Sequence, residues 1–169
     1  MANRNAFRSL RTMLVAVTII GCFTTACKKS SSGSDVDPRD QYVGTYDGGD
    51  KGYQSIITVG AVTFNPEYGT ASIVVTKGSN PKELYIESGQ QSYKVTAELD
   101  GANFTIIDKS SSQIFIPPSN TYTGTYKATG VFGVDQASGK NAIAITATTE
   151  TLKDGSPIRR TEIYTGSRK

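Results

Sequence analysis

Apolar and polar residues alternate along most of the chain, and this period of two constrains the fold more than any other feature. In QSYKVTAEL, residues 91–99, the apolar side chains fall on every second position, and ANFTIID, residues 102–108, repeats the pattern. Between these segments lies Asp100-Gly101, a pair that favours a two-residue hairpin turn. From Tyr42 onward no stretch of helical length has a period of 3.6 residues, so the sequence predicts an all-β domain.

The connections between the predicted strands are short. Further strands are expected at 53–64, 70–77, 82–87, 113–116, 121–134, 141–149 and 158–165, and the intervening segments are rich in Gly, Pro, Asn and Ser. Short connections favour an antiparallel up-and-down meander. A meander of about 8–10 strands hides its edges most completely by closing into a barrel. A β-sandwich is the alternative fold.

Composition removes several classes of function. The chain has no histidine, the side chain that most often serves as a general base near neutral pH and as a zinc ligand. Of its 18 basic residues three are Arg4, Arg8 and Arg11, so 15 remain to balance the 15 acidic ones. A neutral domain with no basic run beyond Lys28-Lys29 lacks the electrostatic footprint of a nucleic-acid-binding protein. We therefore expect a non-enzymatic protein with no cofactor, no metal and no nucleic-acid partner.

The first 26 residues have the layout of a helical secretory signal peptide. A polar and basic start is followed by the apolar run MLVAVTII at 13–20 and then by small residues. This run is shorter than the about 20 residues that a membrane-spanning helix needs. The following segment, KKSSSGSDV at 28–36, is too polar to fold and is expected to be a disordered tether.

The stretch TTACKKSSSGSDVDP, residues 24–38, resembles the cleavage region of bacterial lipoproteins. In that family the cysteine thiol receives a diacylglyceryl group and the freed amine is acylated, which implies lipidation at Cys27. Cys22, in IIGC, is the alternative because an aliphatic residue stands three positions before it. The resemblance divides the chain into a signal peptide at 1–26, a lipidated tether at 27–37 and a single β-barrel domain at 38–169.

CKKSSSGSD followed closely by DPRDQYVGTY resembles the start of small outer-membrane lipoproteins of the Bacteroidota. The resemblance implies attachment to the cell outer membrane through the lipid. In that group acidic residues directly after the first lysine mark export to the surface, whereas here Asp35 and Asp37 come later. The periplasmic and the surface side both remain open.

Gly44-Thr45-Tyr46 resembles the Gly-x-Trp opening of lipocalin-type barrels, with Tyr in place of Trp. In that family a basic residue of the last strand packs over the aromatic ring, and alternation with Ile163 predicts that Arg159 points inward to do so. The resemblance implies an interior able to hold a small apolar ligand. The residues expected to line either that cavity or a solid core are Tyr46, Tyr93, Phe104, Ile106, Tyr126, Phe132, Ile145 and Arg159. The alternative function is a structural or protein-interaction accessory of an envelope complex.

The pattern Tyr-x-Gly-Thr-Tyr occurs twice, at 42–46 and at 122–126. Alternation places the two rings and the glycine of each copy on the same face. Glycine inside a strand often marks a sharp bend or the close approach of another backbone. The repeat is therefore interpreted as a device for curving the sheet, with a duplicated binding site as the alternative.

Overall fold

Ten β-strands and one short 3₁₀ helix form the regular structure of residues 36–88 and 93–169, the residues that a computed structural model describes. The helix is Pro38–Gln41. The strands are β1 (Gly44–Val59), β2 (Val62–Thr63), β3 (Glu67–Lys77), β4 (Glu83–Ser88), β5 (Tyr93–Asp100), β6 (Asn103–Ile106), β7 (Ser111–Ile116), β8 (Asn120–Val134), β9 (Asn141–Lys153) and β10 (Ser156–Arg168).

Several predictions fall on residues that the structure does not describe. The expected signal peptide, Cys22, Cys27 and the tether up to residue 35 lie outside the described residues. Asp37, the last residue of the predicted tether, caps the 3₁₀ helix by accepting a hydrogen bond from the Arg39 backbone N–H at 2.9 Å. No helix within residues 36–88 and 93–169 is long and apolar enough to cross a membrane.

The strands form an antiparallel sheet that closes on itself. Neighbours run in the order β10-β9-β8-β6-β5-β4-β3-β1, and β10 pairs again with β1 to complete an eight-stranded barrel. The two extra strands extend the sheet along its long strands. Strand β7 pairs with the first half of β8, whereas β6 pairs with the second half, and β2 pairs with the end of β1, beyond the residues that pair with β3. The predicted all-β meander closed into a barrel is confirmed, and the chain does not adopt the sandwich alternative.

Strand β1 carries a bulge that the alternation pattern did not reveal. From Asp47 to Tyr53 this strand advances six positions while its partner β10 advances three, from Ser167 to Tyr164. An excess of three residues reverses the parity of the strand. Tyr46 therefore faces inward before the bulge and Ser55 faces inward after it. The strand predicted at 53–64 covers the end of β1, the following turn and β2.

One end of the barrel, here called the helix end, contains the start of β1, the end of β10 and the 3₁₀ helix. The Arg39 guanidinium fastens the helix by donating to the carbonyl oxygens of Gly78 (3.0 Å) and Asn80 (2.6 Å) in the β3–β4 turn. Next to the helix, Tyr42 stacks on Phe132 with the ring centroids 4.3 Å apart. The opposite end, here called the far end, contains the β7–β8 and β9–β10 hairpins.

The predicted interior residues other than Arg159 are buried in one hydrophobic core. They are Tyr46, Tyr93, Phe104, Ile106, Tyr126, Phe132 and Ile145. Towards the helix end the packing is largely aromatic, because Phe132 contacts both Phe104, at 5.0 Å between ring centroids, and Tyr46, at 6.0 Å. Aromatic rings that meet at these distances bury large apolar areas and fill this half of the barrel with side chains.

Candidate functional site

The last strand, β10, places charged side chains inside the barrel. Its inward positions are Ile158, Arg160, Glu162, Tyr164 and Gly166, all of one parity. The prediction that Arg159 points inward over Tyr46 is wrong: its side chain is 60% exposed and forms an ion pair with Glu150 on the outside. Alternation was counted from Ile163, which is only half-buried and faces outward.

The arginine that lies near Tyr46 is Arg168. It is the residue directly opposite Tyr46 in the β1–β10 ladder, and its guanidinium donates to the Gln41 carbonyl at 3.3 Å. The Tyr46 hydroxyl donates to the Tyr42 carbonyl oxygen at 2.7 Å. A basic residue of the last strand thus lies beside the aromatic residue of the Gly-Thr-Tyr motif, nine positions further along than the predicted Arg159.

A charged pair lies in the half of the interior nearer the far end. Arg160 Nη2 is 2.9 Å from Glu162 Oε2, with the two side chains only 19% and 9% exposed. The other Glu162 oxygen accepts a hydrogen bond from the Tyr53 hydroxyl at 3.0 Å, and Arg160 Nη2 also donates to Ser112 Oγ at 3.0 Å. Both carboxylate oxygens are therefore already engaged. Removing either member of such a buried pair leaves an uncompensated charge, which typically costs about 3–5 kcal/mol.

Four tyrosine rings surround the charged pair. The Tyr164 ring lies 4.9 Å from that of Tyr53 and 5.6 Å from that of Tyr93, and the Tyr93 and Tyr126 hydroxyls are 2.9 Å apart. Burial raises the pKa of all four phenols, that of Tyr53 to about 12 with the negative charge of Glu162 adding to the shift. The rings therefore present neutral hydroxyls at physiological pH.

Lys109, in the segment between β6 and β7, adds a second positive charge to this region. Its ammonium lies over the ring of Tyr126, 4.5 Å from the centroid, and over that of Tyr93, at 5.3 Å. Cation–ring contacts of this kind are worth about 0.5–2 kcal/mol. Desolvation lowers the pKa of the Lys109 amine, against the opposing effect of the negative charge of Glu162.

Two polar atoms beside the charged pair are buried and have no hydrogen-bond partner among the described residues. They are Arg160 Nε and Thr149 Oγ1. Thr149, which is 0% exposed, lies directly opposite Arg160 in the β9–β10 ladder and directly opposite Tyr126 in the β8–β9 ladder. We call Lys109, Thr149 and Arg160 the donor cluster. A buried polar group without a partner costs about 1–3 kcal/mol, so a pair of them side by side needs an explanation.

The two Tyr-x-Gly-Thr-Tyr copies lie at opposite ends of the barrel. The first begins at the helix end, whereas the second contributes Tyr126 to the group of four tyrosines near the far end. At Gly124 a Cβ atom would stand 2.5 Å from the Glu150 carbonyl oxygen of β9, so the backbones approach too closely there for any side chain. This geometry favours the interpretation of the repeat as a device for curving the sheet.

Sequence reasoning missed most of this region. It singled out Tyr93 and Tyr126 but not the residues that carry charge or unpaired polar atoms: Lys109, Thr149, Arg160 and Glu162. The available signal was the parity of β10, since counting from Ile158 and Tyr164 would have placed the two charged residues inside. When the inner face of a strand is assigned from hydropathy, charged residues are placed on the outer face, so charged residues inside a barrel are not recognised.

Other surface features do not coincide with this region. Two open depressions of the described surface lie along β8 and β9, one lined by Gly124 and the other by Gly130. Among residues 36–88 and 93–169, no group of three or more His, Cys, Asp or Glu side chains is placed to hold a metal ion. Comparison with protein-family models, with curated protein sequences and with solved structures finds no match to the chain.

Proposed function

We propose that this protein is a lipid-anchored, non-enzymatic binding module of the bacterial outer membrane that holds a small, largely apolar molecule inside its barrel. The observation that carries the proposal is the pair of buried, unpartnered polar atoms, Arg160 Nε and Thr149 Oγ1, beside a wall of tyrosine rings. Binding sites for small molecules combine mostly apolar and aromatic walls with a few polar groups that fix orientation.

The contrast between the two halves of the interior supports this location. Near the helix end, the rings of Phe104 and Phe132 pack on each other and belong to a cluster of buried apolar side chains. Near the far end, the half-buried Arg160 and the buried Glu162 carry a desolvation cost that apolar residues of similar volume would avoid. A requirement to bind a ligand explains why the chain retains charged residues there.

Native mass spectrometry of the full-length protein, purified from the cells that make it, tests this function. We expect one small molecule to remain bound to the folded protein and to be released on unfolding. A protein of bare mass under gentle ionisation, together with an organic extract that contains no enriched compound, would refute the proposal.

The membrane anchor is tested separately by metabolic labelling with palmitate. Replacement of Cys27 by Ala should abolish incorporation into the protein, whereas replacement of Cys22 by Ala should leave incorporation intact. The reverse pattern would move the anchor to Cys22, and labelling of neither cysteine would remove the lipid from the proposal.

A protein-interaction role is the second candidate, and one observation favours it. Exposed apolar side chains lie on three hairpins: Val62 on β1–β2 (61% exposed), Phe115 on β7–β8 (52%) and Leu152 on β9–β10 (69%). All three hairpins lie at the far end, and exposed apolar side chains that cluster on one part of a surface mark interaction sites. Crosslinking in intact cells should then capture a partner through these hairpins. A signal from the monomer alone would argue against this role.

A further inference from the structure

We infer that the ligand carries a single carboxylate, held by the Lys109 ammonium, Arg160 Nε and Thr149 Oγ1. The inference rests on the proposed function and names the chemical class of its ligand. It depends on the balance of hydrogen-bond donors and acceptors around the donor cluster, on the net charge of this part of the interior and on the nature of its walls.

Charged hydrogen-bond donors outnumber charged acceptors in this region. An ammonium has three N–H donors and no acceptor, a guanidinium has five and none, and a threonine hydroxyl has one donor and two acceptor lone pairs. Among the described residues the one carboxylate inside this half is Glu162, and its two oxygens already accept from Tyr53 and Arg160. Arg160 Nε and the Lys109 ammonium can only donate, so the missing partner must accept hydrogen bonds, and a carboxylate offers two acceptor oxygens to them.

The charges lead to the same class of ligand. Arg160 and Lys109 contribute two positive charges and Glu162 contributes one negative charge, which leaves a net charge of +1 before any ligand binds. One carboxylate neutralises this excess. A phosphate monoester would overcompensate it, and an amine would add a second uncompensated positive charge in a poorly solvated region, where the cost is largest.

The walls select the body of the molecule. Tyr53, Tyr93 and Tyr164 present ring faces in mutual contact at 4.9 and 5.6 Å, and the small inward residues Ala128 and Ala147 lie opposite each other in the row next to Thr149. Flat aromatic or conjugated bodies stack favourably on such faces. The ligand is therefore a flat, largely apolar acid, and its carboxylate pairs with the Lys109 ammonium, which lies over the ring faces of Tyr93 and Tyr126.

Calorimetric titration of the full-length protein in lipid nanodiscs, with empty nanodiscs as the blank, tests the inference. The probes are 2-naphthoate, 2-naphthamide and 2-naphthylmethylamine, which share one ring system and differ in charge. We expect 2-naphthoate to bind at least about tenfold more tightly than the amide, a difference of about 1.4 kcal/mol, and the amine to bind most weakly. Equal affinity for acid and amide, tighter binding of the amine, or binding of none of the three would overturn the inference.

Matched variants locate the contact. Lys109→Met keeps the length of the side chain without its charge, and Thr149→Val keeps the shape without the hydroxyl. Each should weaken 2-naphthoate binding by about fivefold or more and 2-naphthamide binding by less, because hydrogen bonds to a charged carboxylate are about twice as strong as those to a neutral amide carbonyl. The controls Lys127→Met and Thr146→Val change exposed residues on β8 and β9 and should have no effect. Equal losses in variants and controls would refute the assignment.

The two levels of the proposal fail in different ways. A copurifying molecule without an acidic group would overturn the inference about the carboxylate while the binding function stands. The absence of any copurifying molecule would refute the binding function itself, whatever the naphthalene probes do.

Discussion

Thr149→Val should make the ligand-free protein more stable, although it removes a polar group from the interior. Thr149 is 0% exposed, and its hydroxyl has no hydrogen-bond partner among the described residues. Burying an unpartnered hydroxyl costs about 1–3 kcal/mol. Valine has nearly the same shape and no hydroxyl, so the free energy of unfolding should rise by about 1–2 kcal/mol. This is the lower part of the range for an unpartnered hydroxyl, because a trapped water would offset part of its cost.

Urea denaturation followed by circular dichroism measures this change. The midpoint should move to higher urea with an unchanged slope, which identifies a change in stability rather than in the surface exposed on unfolding. For a domain of this size the same change should raise the melting temperature by about 3–8 °C. The measurement requires protein freed of ligand, since a bound ligand stabilises the wild type in proportion to its saturation.

Thr146→Val, three residues from Thr149 and exposed on the outer face of β9, is the matched control and should change stability by less than about 0.5 kcal/mol. Thr149→Ser keeps the hydroxyl and removes a methyl group, so it should destabilise by about 1 kcal/mol. If Thr149→Val lowered the free energy of unfolding by 1 kcal/mol or more, the hydroxyl would have a partner in the free protein, and the argument from unpaired donors would fail.

Three further predictions concern the framework. Gly124→Ala should destabilise by about 1–3 kcal/mol in urea denaturation, because its Cβ would meet the Glu150 carbonyl oxygen at 2.5 Å; a neutral result would mean that the strands separate easily. Arg39→Ala should lower the melting temperature by releasing the helix from the β3–β4 turn. Hydrogen bonds from Arg39 hold the pKa of Asp37 well below its usual value. The stability that the Arg39–Asp37 pair contributes is therefore present above about pH 4 and is lost as the pH falls. Calorimetry should show a smaller difference in melting temperature between wild type and variant at pH 2 than at pH 6. Burial raises the pKa of Tyr53 to about 12. The contribution of Tyr53 to stability is therefore complete below its pKa in the unfolded chain, about 10, and is lost as the pH rises through 12. An unfolding midpoint in urea that did not fall between pH 9 and pH 11 would contradict this.

The fold followed from the sequence where the alternation was strict. Strands β5 and β6 come out as predicted, but their turn lies one residue further along than the predicted Asp100-Gly101: Asp100 pairs with Asn103, and the two turn residues are Gly101, at a φ of +63°, and Ala102. In β1 the alternation is interrupted by three extra residues. A period of two holds only within one register, so the pattern before Asp47 does not continue after Tyr53.

The site was harder to predict because its side chains break the rule that charged residues face solvent. On β10 the outward Ile163 and the inward Glu162 are the reverse of what hydropathy suggests, and this inversion led to Arg159 instead of Arg160. The polarity of an interior depends on which strands meet across it. Lys109 comes from a connecting segment with no periodicity, so only the closed barrel brings it to Tyr126.

The most direct test of the account is a crystal structure of the full-length protein with 6-bromo-2-naphthoate, located by the anomalous signal of its bromine. We expect the bromine against the rings of Tyr53, Tyr93 and Tyr164, and the carboxylate oxygens within about 3 Å of Arg160 Nε and Thr149 Oγ1. A bromine found only on the outer surface or among the rings of the helix end would contradict the account. So would a carboxylate that points away from the donor cluster.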